Sequence, residues 1–145
     1  MTVIICVDNN GGILFNGKRQ SKDRIFRKYL LDIVKKKNSH IAMSPYTYSQ
    51  FKEDERKELI DVKDAFSFDE DYIFLEQSIP ILWKKVNNLI LCCWNRDYPA
   101  DEYFNLPIGV ECILQKTEEI VSDSHTLTIE TYEVHTKNWY RKSKE

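Results

Sequence analysis

The sequence predicts an α/β sandwich with a mostly parallel central sheet and an antiparallel C-terminal edge. Three observations carry that prediction. Short apolar runs without polar alternation occur at 3–7, 40–43 and 89–94, which is how strands covered on both faces read. Helical patterns separate the runs in the first two-thirds of the chain. Two strand patterns then follow each other at 110–114 and 126–134 with no helix between them, so they can pair as an antiparallel edge.

Residues 3–7, VIICV, are β-branched or small and apolar, placing the first strand at the sheet centre. Asp8 then leads a loop punctuated by Asn9, Asn10, Gly11, Gly12 and later Asn16-Gly17, with Ile13, Leu14 and Phe15 as an apolar tip between the turn residues. The pattern predicts a flexible loop able to close over a ligand at the strand end. Ser21 is the expected N-cap of the first helix, with Asp23 in its first turn, where the macrodipole favours an anion. Lys35, Lys36 and Lys37 mark its end. Ile25, Phe26, Tyr29, Leu30, Ile33 and Val34 recur at helical spacing and form one stripe to lay on a sheet.

A second strand at 40–43 runs into Ser44 as N-cap and Pro45 at the first helical position. That helix turns polar at 53–58, EDERKE, a solvated end. A weak strand follows at 59–62, a further strand at 72–75, a short helix over 78–86 closed by Asn87-Asn88, and then the apolar run 89–94. At 145 residues the chain is long enough for one core. It is expected to form one domain over 1–135, with 136–145 as a basic tail.

Composition narrows the function classes. The net charge of −2 gives no global basic field to attract nucleic acid, and 42% hydrophobic content is ordinary for a globular chain. No apolar run approaches the roughly 20 residues of a membrane span, and the first ten residues lack a basic leader region; both point to a cytoplasmic protein with no membrane partner. Cys6, Cys92, Cys93 and Cys112 lie in strand-like segments without zinc-ligand spacing, so reduced core thiols and no metal are expected. Cys92 and Cys93 must point to opposite sheet faces. The three histidines have no sequence-placed Ser or Cys partner, and Trp94, at a strand end, is the aromatic expected to face a site. Ligands of such sheets bind beyond the carboxyl ends of the strands, here after Val7, at Ser44, near Leu75 and Glu76, and near Cys92.

Four fragments in order, VIICVDNNGGILFNGK, HIAMSPYTYSQF, LILCCWNRDYPADEYF and SHTLTIETYE, resemble dihydrofolate reductases over nearly the whole chain, apart from a shortened middle and the last ten residues. The resemblance implies a dihydrofolate reductase-like three-layer sandwich with NADPH as its cofactor. It also implies a mobile loop over the nicotinamide at 8–18 and a phosphate contact at Thr47. The chain departs from the family's pattern at several of these points. Arg19, Gln20 and Ser21 replace a Leu-Pro-Trp; an ungapped alignment puts Phe26 where the family has its pterin-binding carboxylate, and a three-residue deletion puts Asp23 there. Paired glycines beside the pyrophosphate become Leu75 and Glu76, an arginine for the 2′-phosphate becomes Pro45, and a sheet threonine becomes Cys92.

Asp23 is therefore the candidate catalytic acid, because positioned acid groups contribute about 10²- to 10⁴-fold. Candidate ligand-binding residues at the strand ends are Cys6, Val7, Leu75, Glu76 and Cys92. The loop and first helix add Asn16, Gly17, Lys18, Arg19, Ser21 and Phe26, and the second helix start adds Ser44 and Thr47. The leading expectation is a small-molecule protein for a nucleotide- or pterin-like ligand without standard dihydrofolate reductase activity. The alternatives are an NAD(P)H-dependent reductase of another substrate, or an RNA-binding or nucleic-acid-processing protein using the donors at 18–24 and the basic tail.

Overall fold

The computed structural model describes residues 1–19, 23–51, 57–122 and 125–137. Its core is a seven-stranded sheet formed by β1 (Thr2–Val7), β4 (Ile41–Met43), β5 (Ile60–Val62), β6 (Tyr72–Leu75), β7 (Asn88–Cys93), β9 (Val110–Val121) and β10 (Thr126–Thr136). The order is β5-β4-β6-β1-β7-β10-β9, with β1 in the middle. Ile4 pairs with Phe74 on one side and with Ile90 on the other, both in parallel. β10 pairs antiparallel with both β7 and β9, which makes the edge that the two successive strand patterns predicted.

Alternation along β1 divides the core in two. Ile4 and Cys6 enter one apolar cluster, and Val3, Ile5 and Val7 enter the other. The first cluster lies under helix α1 (Arg24–Lys36), which brings Phe26, Leu30, Leu31 and Val34 down onto the sheet. The second lies under a layer with no α-helix. It consists of loop segments on either side of β6, a 3₁₀ turn at Trp83–Lys85, and a small antiparallel sheet of β2 (Gly12–Phe15), β3 (Lys18–Arg19) and β8 (Glu102–Tyr103). These three layers form a dihydrofolate reductase-like α/β sandwich.

Several elements differ from the sequence-based expectations, each for a local reason. Residues 12–15 form a strand rather than an apolar tip: Ile13 and Leu14 are buried, and only Phe15 faces out. Asn16 and Gly17, both at positive φ (51° and 71°), make the two-residue hairpin turn from β2 to β3 that an Asn-Gly pair favours. The cap of α1 is Asp23, whose carboxylate accepts the Phe26 amide, so Asp23 precedes the first turn; Ser21, the expected cap, lies outside the described residues. The helix expected over 78–86 is extended up to the 3₁₀ turn, because Pro80 disfavours helical backbone at Ile79 and because Ile79, Ile81 and Trp83 turn inward at every second residue. Helix α2 (Pro45–Tyr48) is a single turn capped by Ser44 as expected. The tail at 138–145 and most of the acidic run at 53–58 lie outside the described residues.

Candidate functional site

Beyond the ends of β1 and β7 the chain is knotted by one carboxylate. Asp8 is almost fully buried. Its Oδ1 accepts the amides of Asn10 at 2.9 Å and Gly12 at 2.7 Å, and its Oδ2 accepts the Tyr98 amide at 3.0 Å. Burial works to raise this carboxyl, but the bonds from Tyr98, Gly12 and Asn10 outweigh it and hold the group below its ordinary range. The loop after β1 is thereby tied to the loop after β7, and the Asn9 amide adds a further bond to the Arg96 carbonyl at 2.9 Å. A second tie fixes the hairpin, where Asp101 Oδ2 accepts the Asn16 amide at 3.0 Å.

The sheet face away from α1 carries a pocket of ≈170 Å³. Ile5 and Leu75, register partners in the β1–β6 pair, supply its sheet side. Ile13, Tyr103, Phe104 and Asn105 come from the small sheet and the residues after it; Gln77, Ser78, Ile79, Ile81 and Trp83 come from the segment after β6. The rings of Trp83 and Phe104 meet with centroids 6.2 Å apart, making an aromatic corner. Glu102 on β8 crosses between the two walls, its Oε1 accepting the Ser78 amide at 2.9 Å. The lining therefore combines flat apolar walls with the amide and hydroxyl groups of Gln77, Ser78 and Asn105, a chemistry suited to a small planar ring with polar edges.

The sequence-predicted residues fall in several places. Leu75 lines the pocket and Val7 lies in the core beneath the same face. Cys6, Phe26 and Cys92 are packed in the opposite cluster under α1. Phe26 is fully buried there, with its ring 5.8 Å from Phe74 and 5.6 Å from Trp94, centroid to centroid. Trp94 faces this core, not a strand-end site, and its other side meets His125. Asp23 is buried at the start of α1, its Oδ1 accepting the Phe26 amide at 2.8 Å. Ser44 and Thr47 are bonded to each other, the Ser44 hydroxyl donating to Thr47 Oγ1 at 3.1 Å and accepting the Thr47 amide at 3.2 Å. Glu76 is buried at the end of β6. Asn16 and Gly17 form the exposed hairpin turn, Lys18 and Arg19 pair with Phe15 and Leu14 through the β3 backbone, and Ser21 is outside the described residues.

Cys92 and Cys93 do point to opposite faces. Burial, then the Glu130 carboxylate 3.4 Å away, push the Cys93 thiol up to about 12. His40 bonds Asp61 and His135 bonds Glu133, both away from the pocket. No group of three His, Cys, Asp or Glu able to hold a metal occurs among the described residues, and no helix among them is long and apolar enough to cross a membrane.

Sequence reading missed Ile5, Ile13, Ser78, Trp83, Glu102 and the Tyr103-Phe104 pair. The signal available was the alternation of Ile79, Ile81 and Trp83 directly after a parallel strand, which marks an extended wall at a carboxyl end.

No family model matches the chain, and no curated protein matches it. Among solved structures it is similar to a dihydrofolate reductase from Enterococcus faecalis complexed with NADP(H) and RAB-propyl. The TM-score is 0.58 and the identity 14%, over 92% of this chain and 95% of that one. At that identity the likeness bears on architecture alone, and the architecture it supports is the dihydrofolate reductase-like fold built above from strand order and layers.

Proposed function

We propose that the protein is a divergent dihydrofolate reductase-like binder of a nucleotide- or pterin-like small molecule, without standard dihydrofolate reductase activity. The observation that carries this reading is the contrast between an aromatic-cornered pocket at the β1–β6 end and the packed core that the described residues form under α1. Phe26, one of the two residues that the family resemblance brings to the pterin carboxylate position, is a fully buried apolar ring. Asp23, the other, is engaged in capping its own helix. A pterin lying against the described part of α1 would meet a filled core, with Asp23 bonded to the Phe26 amide. NADPH is a weak fit for the same protein, because Leu75 and Glu76 stand where the family's fold brings glycine amides to phosphate.

The test is a pair of measurements on the full chain. Dihydrofolate with NADPH should give no turnover above the uncatalysed rate, while calorimetric titration with pterin or adenine should give saturable binding. Efficient turnover of dihydrofolate, or no saturable binding of either ring, would overturn the reading.

A second reading is supported by Asp23 itself, a buried carboxylate one turn from the Phe26 ring. In it, the protein is an NAD(P)H-dependent reductase of another substrate, with Asp23 as proton source. It requires NADPH fluorescence to change on adding protein, and unchanged fluorescence at millimolar cofactor removes it.

A further inference from the structure

We infer that the pocket between β8 and the segment after β6 selects a single unphosphorylated ring, neutral or cationic, and that Glu102 is the residue that excludes phosphorylated ligands. The inference rests on the ligand pocket proposed above and goes further by naming which member of the nucleotide- or pterin-like class it takes. Three independent features of the site agree on this.

The first is size. The pocket holds ≈170 Å³, close to the cavity of about 150 Å³ that takes up one benzene ring and below the roughly 300–1,000 Å³ of sites for drug-sized ligands. A mono- or bicyclic heteroaromatic fits. A dinucleotide must leave most of its length outside.

The second is charge. Among the described residues the lining contains no Lys, Arg or His, so nothing in it offers the charged donor that a phosphate binds best. Glu102 stands at one wall, and Asp101 precedes it with a carboxylate on the Asn16 amide. A phosphate placed at the Ser78 amide meets the Glu102 carboxylate.

The third is the state of the backbone donor. The amide of Ser78, a pocket-lining residue beyond the carboxyl end of β6, is a backbone donor that a ligand acceptor could use. Here Glu102 Oε1 already takes it at 2.9 Å. The same bond ties the Gln77 wall to the Tyr103 wall and so sets the width of the pocket.

Two substitutions separate the charge of Glu102 from its role as a tie. Glu102→Gln keeps an acceptor for the Ser78 amide and removes the charge; Glu102→Ala removes both. Calorimetry compares adenine with adenosine 5′-monophosphate on the wild-type chain and both variants, with pterin as a second unphosphorylated ring. Wild type should bind adenine at least about tenfold more tightly than adenosine 5′-monophosphate, which is roughly 1.4 kcal/mol of discrimination. In Glu102→Gln that ratio should fall to near unity through tighter binding of the phosphorylated ligand. In Glu102→Ala the neutral ring should also weaken, because the walls are no longer tied. Equal binding of both partners by wild type, or an unchanged ratio in Glu102→Gln, overturns the inference and leaves the ligand pocket standing. No binding of any ring overturns both.

Discussion

The two faces of the central sheet are closed by different means. Under α1, a 13-residue helix sets Phe26, Leu30, Leu31 and Val34 side by side, and the core is filled down to the fully buried Phe26 ring. On the opposite face, extended segments cover the sheet. Only alternate residues of such a segment reach inward, as Ile79, Ile81 and Trp83 do, and a space of ≈170 Å³ stays open between them, Ile5 and Leu75 on the sheet, and the Trp83–Phe104 corner. A helix presents contiguous ridges and leaves no room, whereas an extended cover leaves gaps. Among the described residues, the aromatic-cornered pocket lies on the face without the helix.

The sharpest way to break this comparison is to truncate one aromatic on each face. Phe26→Ala should cost about 3–5 kcal/mol in denaturant unfolding, the usual loss for a fully buried ring. Trp83→Ala, at a partly buried ring, should cost roughly 1–2 kcal/mol and abolish ring binding. A larger stability loss from Trp83→Ala than from Phe26→Ala would reverse the assignment of core and pocket.

A smaller effect tests the Asp8 knot beyond the ends of β1 and β7. Asp8 has a folded pKa held below its unfolded value, so its stabilisation is fully present above about pH 4 and is lost as the pH falls through the folded value. Asp8→Asn should remove that acid sensitivity, so wild type should lose its advantage over the variant as pH is lowered from 5 to about 2. An advantage that holds constant with pH would show that the three amides do not depend on the charge of Asp8.

How much of this was legible in the sequence depended on how local the cause was. The strands at 2–7, 41–43, 72–75 and 88–93 were readable because burial on both faces leaves a continuous apolar run. The Asn16-Gly17 turn was readable because its φ values need those residues. Residues 78–86 misled because Ile79, Leu82, Trp83 and Val86 also fit helical spacing, and only Pro80 argued for the extended form that the chain adopts up to Trp83. The outer half of β9, QKTEE at 115–119, reads as polar chain because an edge strand is wet on much of its surface. The pocket was the least legible. It depends on β8 pairing with β2 across some ninety residues, and on Glu102 reaching Ser78. No local pattern records either contact.

The central claim, that the ligand site lies on the face away from α1, is tested most directly by amide chemical-shift mapping during titration with pterin. The account predicts that shifts concentrate at Gln77, Ser78, Trp83 and Tyr103, with Phe26 and Cys92 unmoved. Shifts concentrated at Asp23, Phe26 and Cys92, with Ser78 and Trp83 silent, would contradict it.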